Sequence, residues 1–359
     1  MLQFIFGAMM RYLFTMMMGL HLSAAFAQAP FVGIAQHVLP GSVHAWMQPV
    51  GKTALPITVI HGQFSGPVLT LTAGIHGDEF PAIFALQQLA QNIRPDQLHG
   101  TLIVVHLANL EGFHGRRIAL SPVDEKNLNR VFPGRAEGTL TEQIAYFMTE
   151  NIISQTDYLL DIHSGSANQT LLPHVYSPVM HQAPLDEKTL AFAKSLGIPQ
   201  IVLYDERPHD PAHSISYPNT AQTRGKPGLT LEVGQLGQRS AEDSALIVQA
   251  CLNAMRHLNM LDPSAVNGSA MVASTAQPKS QPVLYRKLVE VHSPVTGIFY
   301  PLVKVGDAVV SGQAVGRVAN YFGQPLETLY APVAGTVLMQ KETPPIREGE
   351  STIDIGVLQ

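Results

Sequence analysis

The pattern of hydrophobic and polar residues predicts strands and helices that alternate over most of the chain. Two short, almost wholly apolar runs, Pro67–Ala73 and Thr101–Ala108, are typical of strands buried on both faces of a sheet. Between them, Pro81–Ile93 has the apolar spacing of a helix and begins with a proline. Further strands are predicted at Tyr158–Ile162, Gln200–Tyr204 and Gly228–Val233. This alternation predicts an α/β domain with a mixed, mostly parallel sheet flanked by helices.

Capping residues predict two more helices in the same part of the chain. Thr139 is followed three residues later by Glu142, which is the spacing of a capping box, and the predicted helix runs to about Ser154. Ser240 with Asp243 predicts a second helix that runs to about Met260. The single cysteine of the chain, Cys251, lies in the middle of this second helix, so we expect it to be a buried structural thiol.

The N-terminal segment 1–27 has the features of a cleaved secretory signal. Arg11 is followed by an apolar run over Tyr12–Leu22 and by the small residues of Ala25–Ala27. A membrane anchor is the alternative, but this run is shorter than the roughly 20 residues that span a bilayer. We therefore expect a mature protein that is periplasmic or secreted and has no membrane span.

A second boundary divides the mature chain. Residues 262–283 are rich in Ser, Ala, Pro and Gln and lack periodicity, which predicts a linker between a catalytic domain at 30–261 and a β domain at 284–359. Within the β domain, segments 293–297 and 331–335 both have the pattern S/A-P-V-x-G. This repeat resembles the barrel-sandwich hybrid of biotinyl and lipoyl carriers.

Carrier domains of that type present a lysine on a hairpin between their two halves. Here the corresponding loop, Ala319–Thr328, contains no lysine. We therefore expect the C-terminal domain to have a structural or site-covering function.

Composition and charge exclude several classes of function. The chain has 22 Lys and Arg against 27 Asp and Glu, a net charge of −5, which argues against a nucleic-acid-binding surface. A hydrophobic fraction of 46% allows a large core and excludes global disorder. One cysteine excludes an internal disulfide and a cysteine-built zinc site, whereas 15 histidines make metal binding by imidazole worth testing.

Two motifs at predicted strand ends offer metal ligands. His76 and Glu79 are three residues apart on the turn after the first strand, so both side chains can converge on one metal ion. His163 ends a later strand and can supply a third ligand. Asp161, two residues before it, points to the same face and can fix an imidazole tautomer. The alternative for His163 is a strand-end histidine hydrogen-bonded within a loop.

Two further motifs offer groups for catalysis and substrate binding. Glu232 is at the end of an apolar strand, where burial of a carboxylate costs free energy unless water or a functional partner compensates for it. It is therefore either a general base or a solvated strand-end acid. Asn129 and Arg130 form a planar fork suited to a carboxylate. Arg116 or Arg117, a little earlier, can stabilise a developing oxyanion.

Together the four motifs resemble the pattern of the succinylglutamate desuccinylase/aspartoacylase family, relatives of the zinc carboxypeptidases. That pattern is H-x-x-E, then N-P, then R, then D-L-N-R-x-F-P-G, then D-x-H-S-G, then E-V-G, and the match spans roughly residues 68–234. The resemblance implies one zinc ion per chain, held by His76, Glu79 and His163. It implies that Glu232 is the base that activates water.

The resemblance also implies the contacts to the substrate. Asn129 and Arg130 would clamp a substrate carboxylate, and Arg117 would stabilise the oxyanion. Arg224, eight residues before the predicted base, is a further candidate for substrate binding.

The sequence departs from the family pattern at three places. Asn127 stands where the pattern has an acid, and Asn109 is not followed by proline. The segment from Arg117 to Asn129 is about two residues longer than usual, so Arg116 remains an alternative for the oxyanion.

The sequence therefore predicts an exported zinc-dependent hydrolase that cleaves an amide bond next to a carboxylate, as in an N-acyl amino acid. One alternative is a zinc carboxypeptidase acting on short or cell-wall peptides, and another is a non-catalytic binding protein on the same fold. The expected partner is a small molecule or short peptide with a carboxylate, and not a nucleic acid. His174, His209 and His213 are predicted as solvated loop residues near the site.

Overall fold

The structure, a computed structural model, describes residues 29–34, 36–261 and 281–359. The predicted signal segment and most of the predicted linker lie outside these residues. Within the described part, no helix is long and apolar enough to cross a bilayer.

Six α-helices and nineteen strands make up the described fold. The helices are α1 (Phe80–Asn92), α2 (Leu110–Gly115), α3 (Leu140–Phe147), α4 (Ala183–Ser195), α5 (Tyr217–Gln222) and α6 (Ala241–His257). The strands before the predicted linker are β1 (Phe31–Gly33), β2 (Gln36–Val38), β3 (Ser42–Val50), β4 (Thr53–His61), β5 (Phe64–Ala73), β6 (His99–Val105), β7 (Tyr158–His163), β8 (Gln169–Leu171), β9 (His174–Pro178), β10 (Gln200–Tyr204) and β11 (Gly228–Glu232). Those after it are β12 (Val283–His292), β13 (Gly297–Pro301), β14 (Ala308–Val309), β15 (Ala314–Ala319), β16 (Pro325–Tyr330), β17 (Gly335–Lys341), β18 (Pro345–Ile346) and β19 (Ser351–Leu358).

Short helical turns complete the picture. A π-helical turn at Met148–Ile152 and a 3-10 turn at Ile153–Gln155 prolong α3. Other 3-10 turns lie at Pro95–Gln97, Leu128–Arg130 and Pro211–His213.

One large mixed sheet organises the molecule. Its strand order is β14–β17–β19–β12–β10–β9–β11–β7–β5–β6–β4–β3, and β8 also pairs with β17. The neighbours β6, β5, β7 and β11 run parallel to one another, whereas β9 lies antiparallel to β11. The mixed α/β architecture predicted from the sequence is confirmed, with parallel pairing at the centre of the sheet.

The central strands are apolar throughout because both of their faces are buried. In β6, Leu102 and Val104 belong to one hydrophobic cluster, while Ile103 and Val105 belong to another on the opposite face. Helices α1 and α6 cover the first of these faces. Successive strand residues point to opposite faces, so this burial explains an apolar run without alternation.

The C-terminal segment continues the large sheet. Strand β12 pairs in parallel with β10, and β19 and β17 then extend the sheet in antiparallel fashion. A second, four-stranded sheet has the order β16–β15–β13–β18, and a separate hydrophobic cluster lies in this segment. The change in sequence texture after the linker correctly predicts β structure, but it carries no information on which strands pair across the two segments.

Most predicted elements appear at or near their predicted positions. The Thr139 capping box is present, and helical structure continues from α3 to Gln155. Cys251 is buried in α6, as predicted. Among the elements before the linker, strands β1, β2, β3, β4, β8 and β9 and helices α2, α4 and α5 were not predicted.

Candidate metal centre and active-site cavity

The residues of the first and third motifs meet where two central strands end. His76 and Glu79 lie on the turn between β5 and α1, and His163 is the last residue of β7. Strands β5 and β7 are parallel neighbours, with Ala73 opposite Ile162, so their carboxyl ends lie side by side. This is the edge at which open α/β sheets place their ligands.

The Glu79 carboxylate lies between two imidazoles. His76 Nδ1 is 2.8 Å from Glu79 Oε1, and His163 Nδ1 is 2.9 Å from Glu79 Oε2. The potential ligand atoms of the three residues all lie within 4.8 Å of one another. Glu79 and His163 are each only 3% exposed. The three side chains therefore converge on one nearly enclosed point.

The outer nitrogens of both imidazoles contact oxygen acceptors. His163 Nε2 lies 2.8 Å from Asp161 Oδ2, and His76 Nε2 lies 3.1 Å from Asn127 Oδ1. Asn127 Oδ1 also accepts the backbone N–H of Asn129 at 2.8 Å, which identifies that atom as the carbonyl oxygen. Each Nε2 therefore carries the proton that it donates, and in a neutral ring this leaves the Nδ1 lone pair directed at Glu79.

Two nitrogen lone pairs facing one carboxylate require a positive charge between them. Burial disfavours a charged His163, but the carboxylates of Asp161 and Glu79 outweigh burial and raise its pKa well above the usual range. Two neutral imidazoles and a carboxylate are a donor set that suits a divalent transition metal ion. The three residues therefore fit a metal centre with three protein ligands.

The turn that carries His76 and Glu79 is held by backbone contacts. Glu79 also accepts hydrogen bonds from the backbone N–H of Ser164 (3.3 Å) and from Ser166 Oγ (3.1 Å). At Gly77 the chain passes so close to α2 that a Cβ atom would stand 2.1 Å from the backbone nitrogen of Phe113. The turn therefore depends on the absence of a side chain at Gly77.

Glu232 lies beside this centre. It is the last residue of β11, and in the parallel pairing of β11 with β7 it is opposite His163. Its carboxylate receives no hydrogen bond from the described residues and lines the adjoining cavity. Burial raises the pKa of Glu232 to about 8; the neighbouring His163 opposes this shift, and Glu79 reinforces it.

A cavity of about 540 Å³ opens beside the metal centre. Residues from many parts of the chain line it, among them His76, Glu79, Asn129, Arg130, His163, Tyr176, Tyr204, Arg207, Glu232, Leu288, Glu290, Met339 and Asp354. The last four belong to the C-terminal strands, so both segments of the chain enclose the cavity. Its volume suits a small molecule.

The predicted substrate arginines differ in their position. Arg130 lines the cavity, but Arg117 forms a 2.5 Å ion pair with Glu125 at the surface and its side chain is 45% exposed. Arg116 ends α2 with a left-handed backbone, and it is exposed. Arg224 donates to backbone carbonyl oxygens and is not among the residues that line the cavity.

Arg207 lines the cavity and was not predicted. Its guanidinium carbon lies 5.0 Å from the centre of the Tyr204 ring, and its buried Nε–H has no hydrogen-bond partner among the described residues. Burial and the nearby charge of Arg207 lower the pKa of Arg130. Neither guanidinium pairs with a described carboxylate. No motif marks Arg207, because only the fold brings the loop after β10 to the cavity.

The remaining predicted histidines do not line the cavity. His174 was expected in a loop, but it is fully buried in β9, where its Nδ1 donates to the carbonyl oxygen of Leu172 at 2.7 Å. His209 and His213 are exposed, and His213 pairs with Asp210.

Comparison with known proteins finds relatives of one enzyme family. The model of the succinylglutamate desuccinylase/aspartoacylase catalytic domain matches residues 65–258. N-alpha-acetyl-L-2,4-diaminobutyric acid deacetylase from Halomonas elongata is 30% identical over 273 residues, which are 75% of each chain.

Solved structures agree with this. The succinylglutamate desuccinylase/aspartoacylase from Rhodobacter sphaeroides has a TM-score of 0.76 and 26% identity, with 88% of this chain and 95% of that chain covered. The product-bound ectoine utilization protein EutE (DoeB) from Ruegeria pomeroyi has a TM-score of 0.78 and 25% identity, with 91% and 98% covered.

Replacing Gly77 with alanine is expected to weaken metal binding. The added Cβ meets backbone atoms that have no room to give way, so the turn carrying His76 and Glu79 must shift. We expect a roughly 10- to 100-fold loss of affinity for a divalent metal ion, the size typical of changes just outside the ligands. Titration against a chromophoric chelator measures this loss.

Gly323→Ala is the control for backbone strain. Gly323 has φ +81°, and no atom lies within 4 Å of a Cβ placed there, so alanine strains the backbone far from the site. This variant should keep the wild-type metal affinity. Equal affinity in the Gly77 variant would contradict the role given to the turn.

Proposed function

Since the chain belongs to the succinylglutamate desuccinylase/aspartoacylase family, we propose that it is a zinc-dependent hydrolase that cleaves the amide bond of N-acyl amino acids. The observation that carries this proposal is the arrangement of one cavity. At one side it has the convergent set His76, Glu79 and His163 next to the unpaired carboxylate of Glu232. It is also lined by two guanidinium groups that form no ion pair with a carboxylate of the described residues.

His76, Glu79 and His163 would hold the zinc ion. Two imidazole nitrogens and a carboxylate are common zinc ligands, and three protein ligands are the number found in catalytic sites. When bound, zinc would polarise the amide carbonyl and lower the pKa of a water molecule to about 7. Asp161 and Asn127 hold the two rings so that each Nδ1 faces the ligand position.

Glu232 is the proposed general base. It lies opposite His163 in the sheet, and its carboxylate receives no hydrogen bond from the described residues. It would take a proton from the attacking water and deliver that proton to the nitrogen of the leaving amine.

Arg130 and Arg207 are the proposed ligands of the substrate carboxylate. Both line the cavity, and neither forms an ion pair with a carboxylate of the described residues, so each guanidinium can pair with an anion that enters the cavity. Asn129 helps to hold this wall, since its Oδ1 accepts the backbone N–H of Tyr217 at 2.9 Å. Arg117 was predicted to stabilise the oxyanion. That function would require its surface ion pair with Glu125 to break.

The volume of the cavity favours a small N-acyl amino acid over a peptide. Residues of strands β12, β17 and β19 line one side of it. We propose that the C-terminal segment, with its barrel-sandwich-like repeat, serves to close the site and does not act as a carrier. A non-catalytic binding protein is less well supported, because binding alone needs no unpaired base beside a metal centre.

Removal of the metal should abolish hydrolysis. Treatment with dipicolinate should remove activity toward N-acetyl amino acids, and stoichiometric zinc should restore it, with one zinc ion per chain by elemental analysis. Activity that is indifferent to the chelator would contradict a metal-dependent reaction.

Glu232→Gln should lower kcat without loss of metal. General acid–base catalysis typically contributes about 10²–10⁴-fold, so we expect a decrease of that order. Zinc content and the thermal melting curve should match the wild type, since the amide is close in shape to the carboxyl group. Full activity of this variant would show that another group is the base.

We also propose that the protein is exported to the periplasm or secreted, on the basis of Arg11, the apolar run and the small residues before Gln28. N-terminal sequencing of the protein from the native host should give a chain that starts at Gln28. A chain that retains residues 1–27 in the cytoplasm would contradict export.

A further inference from the structure

The outer hydrogen-bond acceptors of the two imidazoles are held in different ways. Asn127 Oδ1, which faces His76 Nε2, also accepts the backbone N–H of Asn129 at 2.8 Å, so the main chain fixes its position. Asp161 Oδ2 lies 2.8 Å from His163 Nε2, but the carboxylate of Asp161 receives no hydrogen bond from the backbone of the described residues. The position of Asp161 therefore depends on some other support.

The second oxygen of this carboxylate is buried and has no partner. Asp161 is 0% exposed, and its Oδ1 forms no hydrogen bond with the described residues. Burial of a carboxylate oxygen without a donor costs free energy, so such atoms in native proteins are almost always hydrogen-bonded to protein or to ordered water. A donor for Asp161 Oδ1 is therefore required.

Two hydroxyl groups without partners belong to the same buried region. Thr72 on β5 is the neighbour of Asp161 on β7 in their parallel pairing, so the two side chains point to the same face of the sheet. Thr72 Oγ1 is buried and forms no hydrogen bond with the described residues, and the same is true of the Tyr217 hydroxyl. Strands lie about 4.8 Å apart, which is wider than a direct hydrogen bond but suits a bridging molecule.

Tyr217 reaches this region from the helix above the sheet. Helix α5 begins at Tyr217 and packs on β7 and β11. The Tyr217 ring lies 5.1 Å from the ring of Phe132, and its backbone N–H donates to Asn129 Oδ1. Burial raises the pKa of Tyr217 far above its usual range; the Thr72 hydroxyl opposes this shift, and the charge of Asp161 adds to it. The hydroxyl therefore lies near both groups without a direct hydrogen bond to either.

Three buried polar atoms from β5, β7 and α5 thus share one region and lack partners. A buried water molecule typically makes about three hydrogen bonds to polar groups of this kind. Water can donate to a carboxylate oxygen, whereas each hydroxyl can either donate to water or accept from it. One water molecule therefore satisfies all three atoms.

We propose that Thr72, Asp161 and Tyr217 bind one ordered water molecule, and that this water holds the Asp161 carboxylate where it accepts the Nε2–H of His163. Thr72 and Tyr217 are then positioning residues, since neither lines the cavity and both act on His163 through Asp161. Loss of the water leaves the carboxylate free to turn, so the His163 ring loses the acceptor that directs its Nδ1 toward Glu79. The expected effect on zinc rests on the proposed function; the water site does not.

A high-resolution crystal structure of the metal-free protein tests the water site directly. We expect a well-ordered water within about 3.2 Å of Thr72 Oγ1, Asp161 Oδ1 and the Tyr217 hydroxyl. A direct hydrogen bond between Tyr217 and Asp161, with no water between them, would overturn the proposal.

Two substitutions at Thr72 separate positioning from packing. Thr72→Val keeps the shape of the side chain and removes the hydroxyl, whereas Thr72→Ser keeps the hydroxyl and removes a buried methyl group. We expect Thr72→Val to weaken zinc binding about 3- to 10-fold, less than the loss typical of direct partners of the ligands. Thr72→Ser should keep the wild-type zinc affinity in spite of a lower Tm. Zinc affinity that follows Tm in both variants would overturn the positioning function.

Tyr217→Phe tests the same water from the other side. It should weaken zinc binding as much as Thr72→Val does, and the double variant should lose little more, because both substitutions remove one shared water. Tyr285→Phe is the matched control, since Tyr285 is another buried tyrosine and does not line the cavity. Fully additive losses, or an equal loss in the control, would contradict a shared water.

NMR of the metal-free protein with labelled histidine separates this inference from the proposed reaction. The His163 Nε2–H should exchange with solvent about 5-fold faster or more in Tyr217→Phe and Thr72→Val, because its acceptor is no longer held. The His76 Nε2–H, whose acceptor is held by the main chain, should exchange as in the wild type. Unchanged His163 exchange would overturn only the water support. The predicted exchange in a protein that neither binds zinc nor hydrolyses N-acetyl amino acids would overturn only the proposed function.

Discussion

A single buried carboxylate, Glu79, lies between the Nδ1 atoms of two imidazoles. Asp161 and Asn127 accept hydrogen bonds from the outer nitrogens, so in each neutral ring the inner lone pair points at the same carboxylate. This arrangement is favourable only with positive charge at its centre. The parallel pairing of β5 and β7, the close passage of the chain at Gly77 and the depth of the site all serve to maintain it.

The large sheet connects this centre to the residues proposed to bind the substrate. The central strands β7 and β11 supply His163 and Glu232, and the continuation of the sheet through β10 into β12 brings the C-terminal strands to the same cavity. The result is a small space lined by the candidate metal ligands, by two guanidinium groups and by carboxylates of the C-terminal strands.

The convergence of His76, Glu79 and His163 could be predicted from the sequence because each lies at or just after the end of an apolar strand whose position the hydrophobic pattern gives. Parallel strands then place such residues at one edge. The cavity walls could not be predicted in this way. Arg207, Glu290 and Asp354 depend on the pairing of β10 with β12, which no local pattern encodes. Likewise, adjacency to a motif did not reveal that Arg117 pairs with Glu125 at the surface, or that His174 lies inside a strand.

The most direct test of the central claim is anomalous diffraction at the zinc edge from crystals of the zinc-loaded protein. The account predicts one strong peak per chain, about 2.0–2.2 Å from Nδ1 of His76, Nδ1 of His163 and a carboxylate oxygen of Glu79. Glu232 should lie beside this peak without direct coordination. A peak at another position, or ligation through the outer nitrogen of either imidazole, would contradict it.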